Sequence, residues 1–271
     1  MNLMPVQISA KHFQKISEIV YQSCGINLKQ GKEALVRARL MKRLRAQRIN
    51  SVQEYLDHIE SSDGNHELTL FIDAMTTNKT SFFREVEHFN YLRDHVLPGL
   101  KSNRLRFWSA ACSSGEEPYS LAIWLREHMP HIDNKDALIL ATDISKRMLE
   151  KAHLAVYSAE TLKNLPSPQF KKYFSKLHGQ HSGSYRIADE IRKMVRLAWL
   201  NLLESWPMKG PFNVIFCRNV MIYFDRPTQQ KLINRFWELL EPGGFLFVGH
   251  SEGLSAINHK FRYMRPATYQ K

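Results

Sequence analysis

Two periodicities divide the chain. Over the first 75 or so residues the apolar positions recur every three to four residues, the spacing of one buried helix face. Val36, Leu40 and Leu44 form such a stripe. Ser9 is placed to cap a helix through Tyr21, and Ser51 with Glu54 makes a capping box ahead of Tyr55, Leu56 and Ile59. A polar break at Ser61–Asn65 precedes a further short helix through Ala74, and no strand pattern interrupts this part.

From Leu105 onward, short apolar runs alternate with helical stretches. Strands are predicted at Leu105–Ala111, Ala137–Thr142, Val195–Leu200, Phe212–Cys217 and Phe245–Val248, with edge strands within Phe261–Tyr269. Helices are predicted at Pro118–Glu127, Ser145–Leu154 and Pro227–Leu240, the last stopped by Pro242-Gly243-Gly244. Such alternation predicts an α/β domain, a doubly wound parallel sheet with helices on both faces. Between Tyr173 and Met194 the rhythm breaks: His178–Gly183 followed by Tyr185-Arg186-Ile187 reads as a small antiparallel insertion. The expected organisation is a helical domain over 1–75 and an α/β domain over 76–271, with the β-insertion at about 173–194.

Composition narrows the class. The 271 residues are 44% hydrophobic and 24% charged, the balance of a folded globular protein. Apolar runs stop at about five residues, far short of a membrane span. The first ten residues lack the apolar core of a secretion signal. Cys24, Cys112 and Cys217 are too few and too scattered for a disulfide framework, which points to a reducing, cytoplasmic setting.

The net charge of +12 favours an acidic partner. It is concentrated: Lys29 to Arg48 holds eight basic residues and one acid, Glu33. Arg37, Arg39, Lys42, Arg43, Arg45 and Arg48 surround the buried stripe, which makes this helix a candidate docking surface, with a solvated helix face as the alternative.

Open parallel sheets bind ligands beyond the carboxyl ends of their strands. There the first strand runs into Ser109-Ala110-Ala111-Cys112-Ser113-Ser114-Gly115, small residues that let a ligand approach the backbone. The loop lacks a G-x-G-x-x-G pattern, and Glu116 and Glu117 follow it, carboxylates that repel a pyrophosphate and suit a cation. Asp143, 28 residues after Gly115, ends the second strand, where an acid accepts ribose hydroxyls or caps the next helix. Asn201 follows the third strand and Arg218-Asn219 the fourth, so four polar strand ends make a nucleoside crevice. Gly249-His250-Ser251-Glu252-Gly253 matches G-x-S-x-G, but that motif needs a helix behind it and a full triad, and only 20 residues follow Ser251, with Glu252 and His259 as the sole acid and histidine, so the match reads as accidental. No metal-ligand spacing is present, so no metal is expected, and the 12 histidines read as surface or capping residues.

With these residues in view, the chain resembles the CheR family, methyltransferases that esterify glutamates of bacterial chemoreceptors. The resemblance rests on the blocks Thr76–Glu85, Ser109–Ser120, Ala141–Ile144, Asn201–Glu204, Val220–Phe224 with the preceding Phe216–Asn219, and Gly249–Glu252, and it runs over nearly the whole chain. It implies a class I methyltransferase-like sheet, S-adenosylmethionine as cofactor (S-adenosylhomocysteine as product), and cofactor contacts at Asn78, Thr80, Arg84, Glu117, Asp143, Asn201, Leu202, Arg218 and Asn219. Arg84 would hold the substrate carboxylate, and Tyr223 would line the methyl-transfer site or pack a helix. Phe82 and Phe83 read as packing residues, and Cys217 as a small residue beside the cofactor. The implied partners are cytoplasmic domains of chemoreceptors, whose acidic methylation helices match Arg37, Arg43, Arg45 and Arg48, and in some members a C-terminal tether peptide gripped by the β-insertion. The resemblance implies a monomer that neither inserts into membranes nor binds nucleic acid. Two alternatives stand beside it. A nucleic-acid methyltransferase would want stacking aromatics, and none lies between Lys29 and Arg48; a non-catalytic S-adenosylmethionine sensor would keep the cofactor contacts without the chemistry.

Overall fold

A computed structural model describes residues 8–163, 165, 168–179 and 182–271. Met1–Gln7, in the segment searched for a secretion signal, and Gln180 and His181, in the expected insertion, lie outside the described residues. The chain divides into two compact units, residues 8–77 with Tyr223–Thr228, and Asn78–Ile222 with Gln229–Lys271.

The first unit is helical: α1 (Ala10–Cys24), α2 (Glu33–Gln47), α3 (Val52–Glu60) and α4 (Asn65–Met75). Its caps are those the sequence predicts. Ser9 Oγ accepts from His12 N at 3.1 Å, and Ser51 Oγ from Glu54 N at 3.4 Å. Gly25 closes α1 in the left-handed region (φ 73°), where a side chain would be strained. Val36, Leu40 and Leu44 are almost wholly buried, as are Ile16, Val20, Tyr55, Leu56 and Phe71 of the other helices. One buried polar knot ties three of the helices. The carboxylate of Glu67 on α4 receives Arg43 Nε and Nη2 (2.9 and 2.6 Å), Tyr55 Oη (2.6 Å) and Gln47 Nε2. Burial disfavours the charge on Glu67, but these donors outweigh it and hold the carboxyl below the usual range. The segment Tyr223–Thr228 joins this unit through Tyr21 Oη to Asp225 (2.7 Å) and Asn27 N to the Tyr223 carbonyl (2.8 Å).

The second unit contains α5 (Val86–Tyr91), β1 (Arg104–Ala110), α6 (Glu116–His128), β2 (Asp136–Asp143), α7 (Lys146–Leu154), β3 (Val156–Ser158), β4 (Phe174–Lys176), β5 (Ser184–Ile187), α8 (Asp189–Arg192), β6 (Val195–Trp199) and β7 (Phe212–Cys217). α9 (Arg226–Leu239) belongs to it from Gln229 onward, and β8 (Leu240–Val248), β9 (Arg262–Arg265) and β10 (Thr268–Gln270) complete it. The large sheet has the order β6-β2-β1-β7-β8-β10-β9; β6, β2, β1, β7 and β8 are parallel, and β10 is antiparallel to both neighbours. This is the class I methyltransferase-like sheet the resemblance implies. The chain starts at β1, winds out to β6, and returns to β7 on the other side, which puts the switch point at the carboxyl end of β1. β7 is buried at every residue, as a strand covered on both faces must be.

Two details differ from expectation. The small sheet is three-stranded, in the order β3-β5-β4, and recruits Val156–Ser158 directly after α7. Three residues carry too little period to be recognised as a strand. β8 begins at Leu240, the last residue of the predicted helix, and runs through Pro242-Gly243-Gly244, where a turn is predicted; its register against β7 shifts there and Gly243 adopts φ 81°.

Candidate active site

Register brings the predicted residues to one end of the sheet. Ala110 stands opposite Thr142 on β2 and Cys217 on β7, while Asp143 stands opposite Trp199 and Cys217 opposite Val248. Ala111, Asp143, Arg218 and Gly249 therefore lie at the same level, and Asn201 follows close by.

The loop after β1 is tightly coiled. Ala111, Ser113 and Gly115 all take positive φ (68°, 50° and 96°), and a Cβ on Gly115 would meet Ala152 Cβ and Tyr157 Oη at 2.9 Å. Asp143 holds this loop: its Oδ2 accepts from Ser113 N and its Oδ1 from Ser145 N, each at 2.8 Å. The carboxylate thereby braces the loop after β1 and the turn into α7 together. Ser113 Oγ in turn donates to the Asn78 carbonyl at 3.0 Å, which brings the segment Asn78–Arg84 against the β1 loop.

The two carboxylates after Gly115 part company. Glu116 turns inward and takes a bond from Ser114 Oγ at 2.7 Å. Glu117 faces the strand ends, accepting from Ser109 Oγ (2.6 Å) and Arg218 Nη1 (3.1 Å). Burial pushes the Glu117 carboxyl above the usual range, and Arg218 and Ser109 only partly offset it.

Arg218 is the hub of this end of the sheet. Its side chain is 1% exposed, with the guanidinium carbon 5.9 Å from the ring centroids of both Phe89 and Phe216. The guanidinium bonds Glu117, the Arg84 carbonyl and, through Nε and Nη2, Glu85 Oε2 at 3.4 and 3.1 Å. With its donors so occupied, it organises the site from beneath. Asn219, at φ 60°, gives its Nδ2 to Glu85 Oε1 at 3.2 Å.

Glu85 is the residue that sequence reasoning missed. It adopts φ 55° and gathers Arg218 and Asn219, with His88 Nδ1 at 3.5 Å and His250 Nε2 at 4.0 Å. Burial opposes its ionisation, but Arg218, Asn219 and His250 prevail and hold the carboxyl below the usual range. His88 is no surface residue: it is 1% exposed and burial, reinforced by Arg218, pushes its pKa down to about 3. Glu85, His88 and His250 offer three ligand atoms within 4.8 Å of one another. Arg218 occupies the same carboxylate oxygen, and its charge opposes a metal ion at that point.

A second carboxylate, Glu252, was also unforeseen. It accepts from the backbone N–H of Asn219 (2.6 Å), Gly249 (2.7 Å) and Ile222 (3.0 Å). The G-x-S-x-G match is thus a loop braced by its own acid, with no helix of the kind a nucleophile needs.

The remaining predicted residues place as follows. Arg84 is 37% exposed and donates Nη1 to the Lys79 carbonyl at 2.8 Å, with Nε 4.0 Å from Glu85. Thr80 is half-buried beside it in sequence. Asn201 is buried in an Asx turn, accepting from Leu203 N (3.1 Å), and the carbonyl of Leu202 receives Arg235 Nη1 (2.8 Å). Phe82 and Phe83 are 4% exposed, Phe82 against Tyr157 and Phe174, Phe83 against Phe89 and Phe170. Cys217 is fully buried and burial raises its thiol well above the usual range, so it is no nucleophile. Tyr223, half-buried, groups with the helical unit. On α2, Arg37, Arg45 and Arg48 are exposed, whereas Arg43 turns inward to Glu67 and Arg39 to the Met75 carbonyl (2.6 Å). Arg43 is therefore a structural arginine, because a fork that satisfies a buried carboxylate is not available to a partner.

The donor set fits a phosphate-free nucleoside cation. Glu117 and Asp143 stand at the ends of β1 and β2, and the buried cation among them, Arg218, is neutralised by Glu85 and Glu117. The comparison with known proteins decides the matter: the model of the CheR methyltransferase S-adenosylmethionine-binding domain matches residues 78–270, and that of the CheR all-alpha domain residues 11–76. The chain belongs to the CheR methyltransferase family. It is 42% identical to the chemotaxis protein methyltransferase of Escherichia coli K12 over 97% of this chain and 91% of that protein. It is also 42% identical to chemotaxis protein methyltransferase 2 of Pseudomonas aeruginosa, over 95% and 91% respectively. The chemotaxis protein methyltransferase of Borreliella burgdorferi is 38% identical over 98% and 96%. Membership makes S-adenosylmethionine the cofactor of this CheR domain. No helix among the described residues is long and apolar enough to cross a membrane.

Proposed function

We propose that this CheR protein transfers a methyl group to the side-chain carboxylate of glutamates in the cytoplasmic domains of chemoreceptors, forming methyl esters, and that it works as a cytoplasmic monomer. The observation that carries the reading is the contrast between Arg84 and Arg218. Arg218 is buried and paired, whereas Arg84 keeps a half-exposed guanidinium near Glu117 at the strand ends. A fork of that kind suits a carboxylate substrate.

Bound S-adenosylmethionine supplies an activated methyl group on a sulfonium. The residues that would hold it are Glu117 for the cationic end, Asp143 for the ribose, and Asn201 with Leu202 beyond β6; Asn78 and Thr80 would close over it from the segment before α5. A glutamate carboxylate has a reference pKa of about 4.3, so it reaches the site ionised and needs no general base. The chain's work is then orientation and partial removal of water. Arg84 would hold one carboxylate oxygen and leave the other free to attack. Tyr223 would line the approach. The exposed Arg37, Arg45 and Arg48 would select the acidic methylation helix by charge.

The test is incubation with methyl-labelled S-adenosylmethionine and chemoreceptor-bearing membranes, followed by mild alkali. Label on receptor that leaves as methanol, and a loss of at least a hundredfold in Arg84→Ala with S-adenosylhomocysteine binding retained, is the expected result. Base-stable label, or label on added nucleic acid, overturns it.

A further inference from the structure

The free end of the large sheet carries an unclaimed surface. β6 pairs with β2 on one side, and among the described residues no strand pairs with its other edge. Only Val195 of its five residues is buried, although strands of a parallel sheet are ordinarily covered on both faces. Beside it, α7 and β6 enclose a groove of about 560 Å³ lined by Lys146, Leu149, His153, Leu154, Leu197 and Trp199, among others.

Its floor and walls are apolar and conspicuously open. Leu154 is 60% exposed and Trp199 44%. Trp199 is held in place by its indole N–H, which donates to the Ile144 carbonyl at 2.8 Å. A large ring fixed by its polar edge while its face stays in water is a preformed contact surface. Exposed basic residues stand on these elements: Lys146 on α7 lines the groove, Lys193 precedes β6 and Arg196 lies on it, while Glu150 is the acid of the lining.

We infer that the β6 edge and the α7 groove form a docking site for an extended acidic peptide segment of a partner protein, which adds as a strand along β6 and seats an apolar side chain against Leu154 and Trp199. The unpaired row of backbone donors and acceptors asks for another backbone. Charge decides whose backbone it is. A second copy of this chain paired edge to edge would set Lys146, Lys193 and Arg196 against their own likenesses, whereas an acidic strand neutralises them. A nucleic acid would answer the charge but leave the strand's backbone groups unmatched. The surface belongs to the seven-stranded sheet, apart from the three-stranded one, and stands whether or not the proposed receptor chemistry holds.

The probe is the fluorescein-labelled peptide Glu-Val-Glu-Phe-Glu-Val-Glu, titrated with the full chain and read by anisotropy. Saturable binding is expected, weakened about tenfold by Leu154→Glu and by Lys146→Glu. Neither change threatens the fold: Leu154 is solvent-exposed, and an acid at the first residue of α7 suits the helix dipole, with unchanged thermal melting as the check. The same peptide with methylated backbone nitrogens, and one with serine in place of valine and phenylalanine, should each bind about tenfold less well. Equal binding of the methylated peptide, indifference to both variants, or no saturable binding overturns the inference. So does a dimer in sedimentation that Leu154→Glu dissolves, or an oligodeoxythymidine that competes for the same residues.

Discussion

Arg218 and Glu85 are joined by a double contact, Nε at 3.4 Å and Nη2 at 3.1 Å to the same carboxylate oxygen, although 133 residues separate them in sequence. That contact ties the end of β7 to the segment before α5. Removing the carboxylate leaves a buried guanidinium with Glu117 as its remaining acid. Glu85→Ala should therefore lower stability by about 3 kcal/mol, at the lower end for a broken buried pair. Chemical denaturation checks this. Calorimetry should show S-adenosylhomocysteine affinity falling in Glu85→Gln as well, since Asn219 and Arg218 lose a common anchor.

Glu117 gives cofactor binding a pH dependence. Its carboxyl is raised by burial, so its neutral form accumulates at higher pH than for an ordinary glutamate. A cationic ligand is held by the ionised form. Affinity for S-adenosylmethionine should hence weaken as pH falls toward the raised pKa, and Glu117→Gln should bind about tenfold less well with a flatter profile. Titrations between pH 5 and pH 8, taken as roughly the accessible window, decide it.

The arginines of α2 should separate into two kinds. Arg43→Ala strands the Glu67 carboxylate, 3% exposed, and should cost about 3 kcal/mol with acid sensitivity altered. Because Glu67 is held below its usual pKa, its share of stability is present above about pH 4.5 and is lost as pH falls through the lowered value. Reversing Arg45 and Arg48 should leave melting within about 0.5 kcal/mol of the parent. Their effect should appear in the receptor KM and its salt dependence. Equal melting losses for both kinds would show that the helix is uniformly structural.

His88 should govern stability over a different window. Its folded pKa is about 3, below the value of about 6.5 in an unfolded chain. The neutral ring stabilises the fold above pH 6.5, and that contribution drains away between there and pH 3, by up to about 1.4 kcal/mol per pH unit. His88→Phe should reduce the slope between pH 6 and pH 4.5, roughly the upper part of that window. An unchanged slope would place the acid sensitivity elsewhere.

The fold was legible wherever a periodicity ran long enough. The Val36, Leu40 and Leu44 stripe, the Ser9 and Ser51 caps, and the strand Phe212–Cys217 all stand where pattern places them. β3 was invisible because three residues have no period, and the start of β8 before Phe245 because Pro242-Gly243-Gly244 reads as a stop while the chain passes through it as an irregular strand. Within the candidate site, the strand ends were legible because polar residues interrupt apolar runs there. Glu85, His88 and Glu252 were not. Their roles arise from convergence in space: Glu85 meets Arg218, and Glu252 meets Asn219, across more than thirty intervening residues in each case. Arg43 shows the converse, since composition counts a charge but says nothing of which way it turns.

The three amides that converge on Glu252 have a further meaning. Asn219, Gly249 and Ile222 together form the kind of backbone cup in which other strand-end sites seat a phosphate. Here the protein has filled the cup with a carboxylate of its own, so these three amides are closed to a phosphate by occupancy rather than by shape. A nucleotide with a phosphate chain would have to evict Glu252 to gain what simpler sheets offer freely. A side chain seated where a ligand's charge would otherwise go turns a general-purpose anion cup into an internal brace.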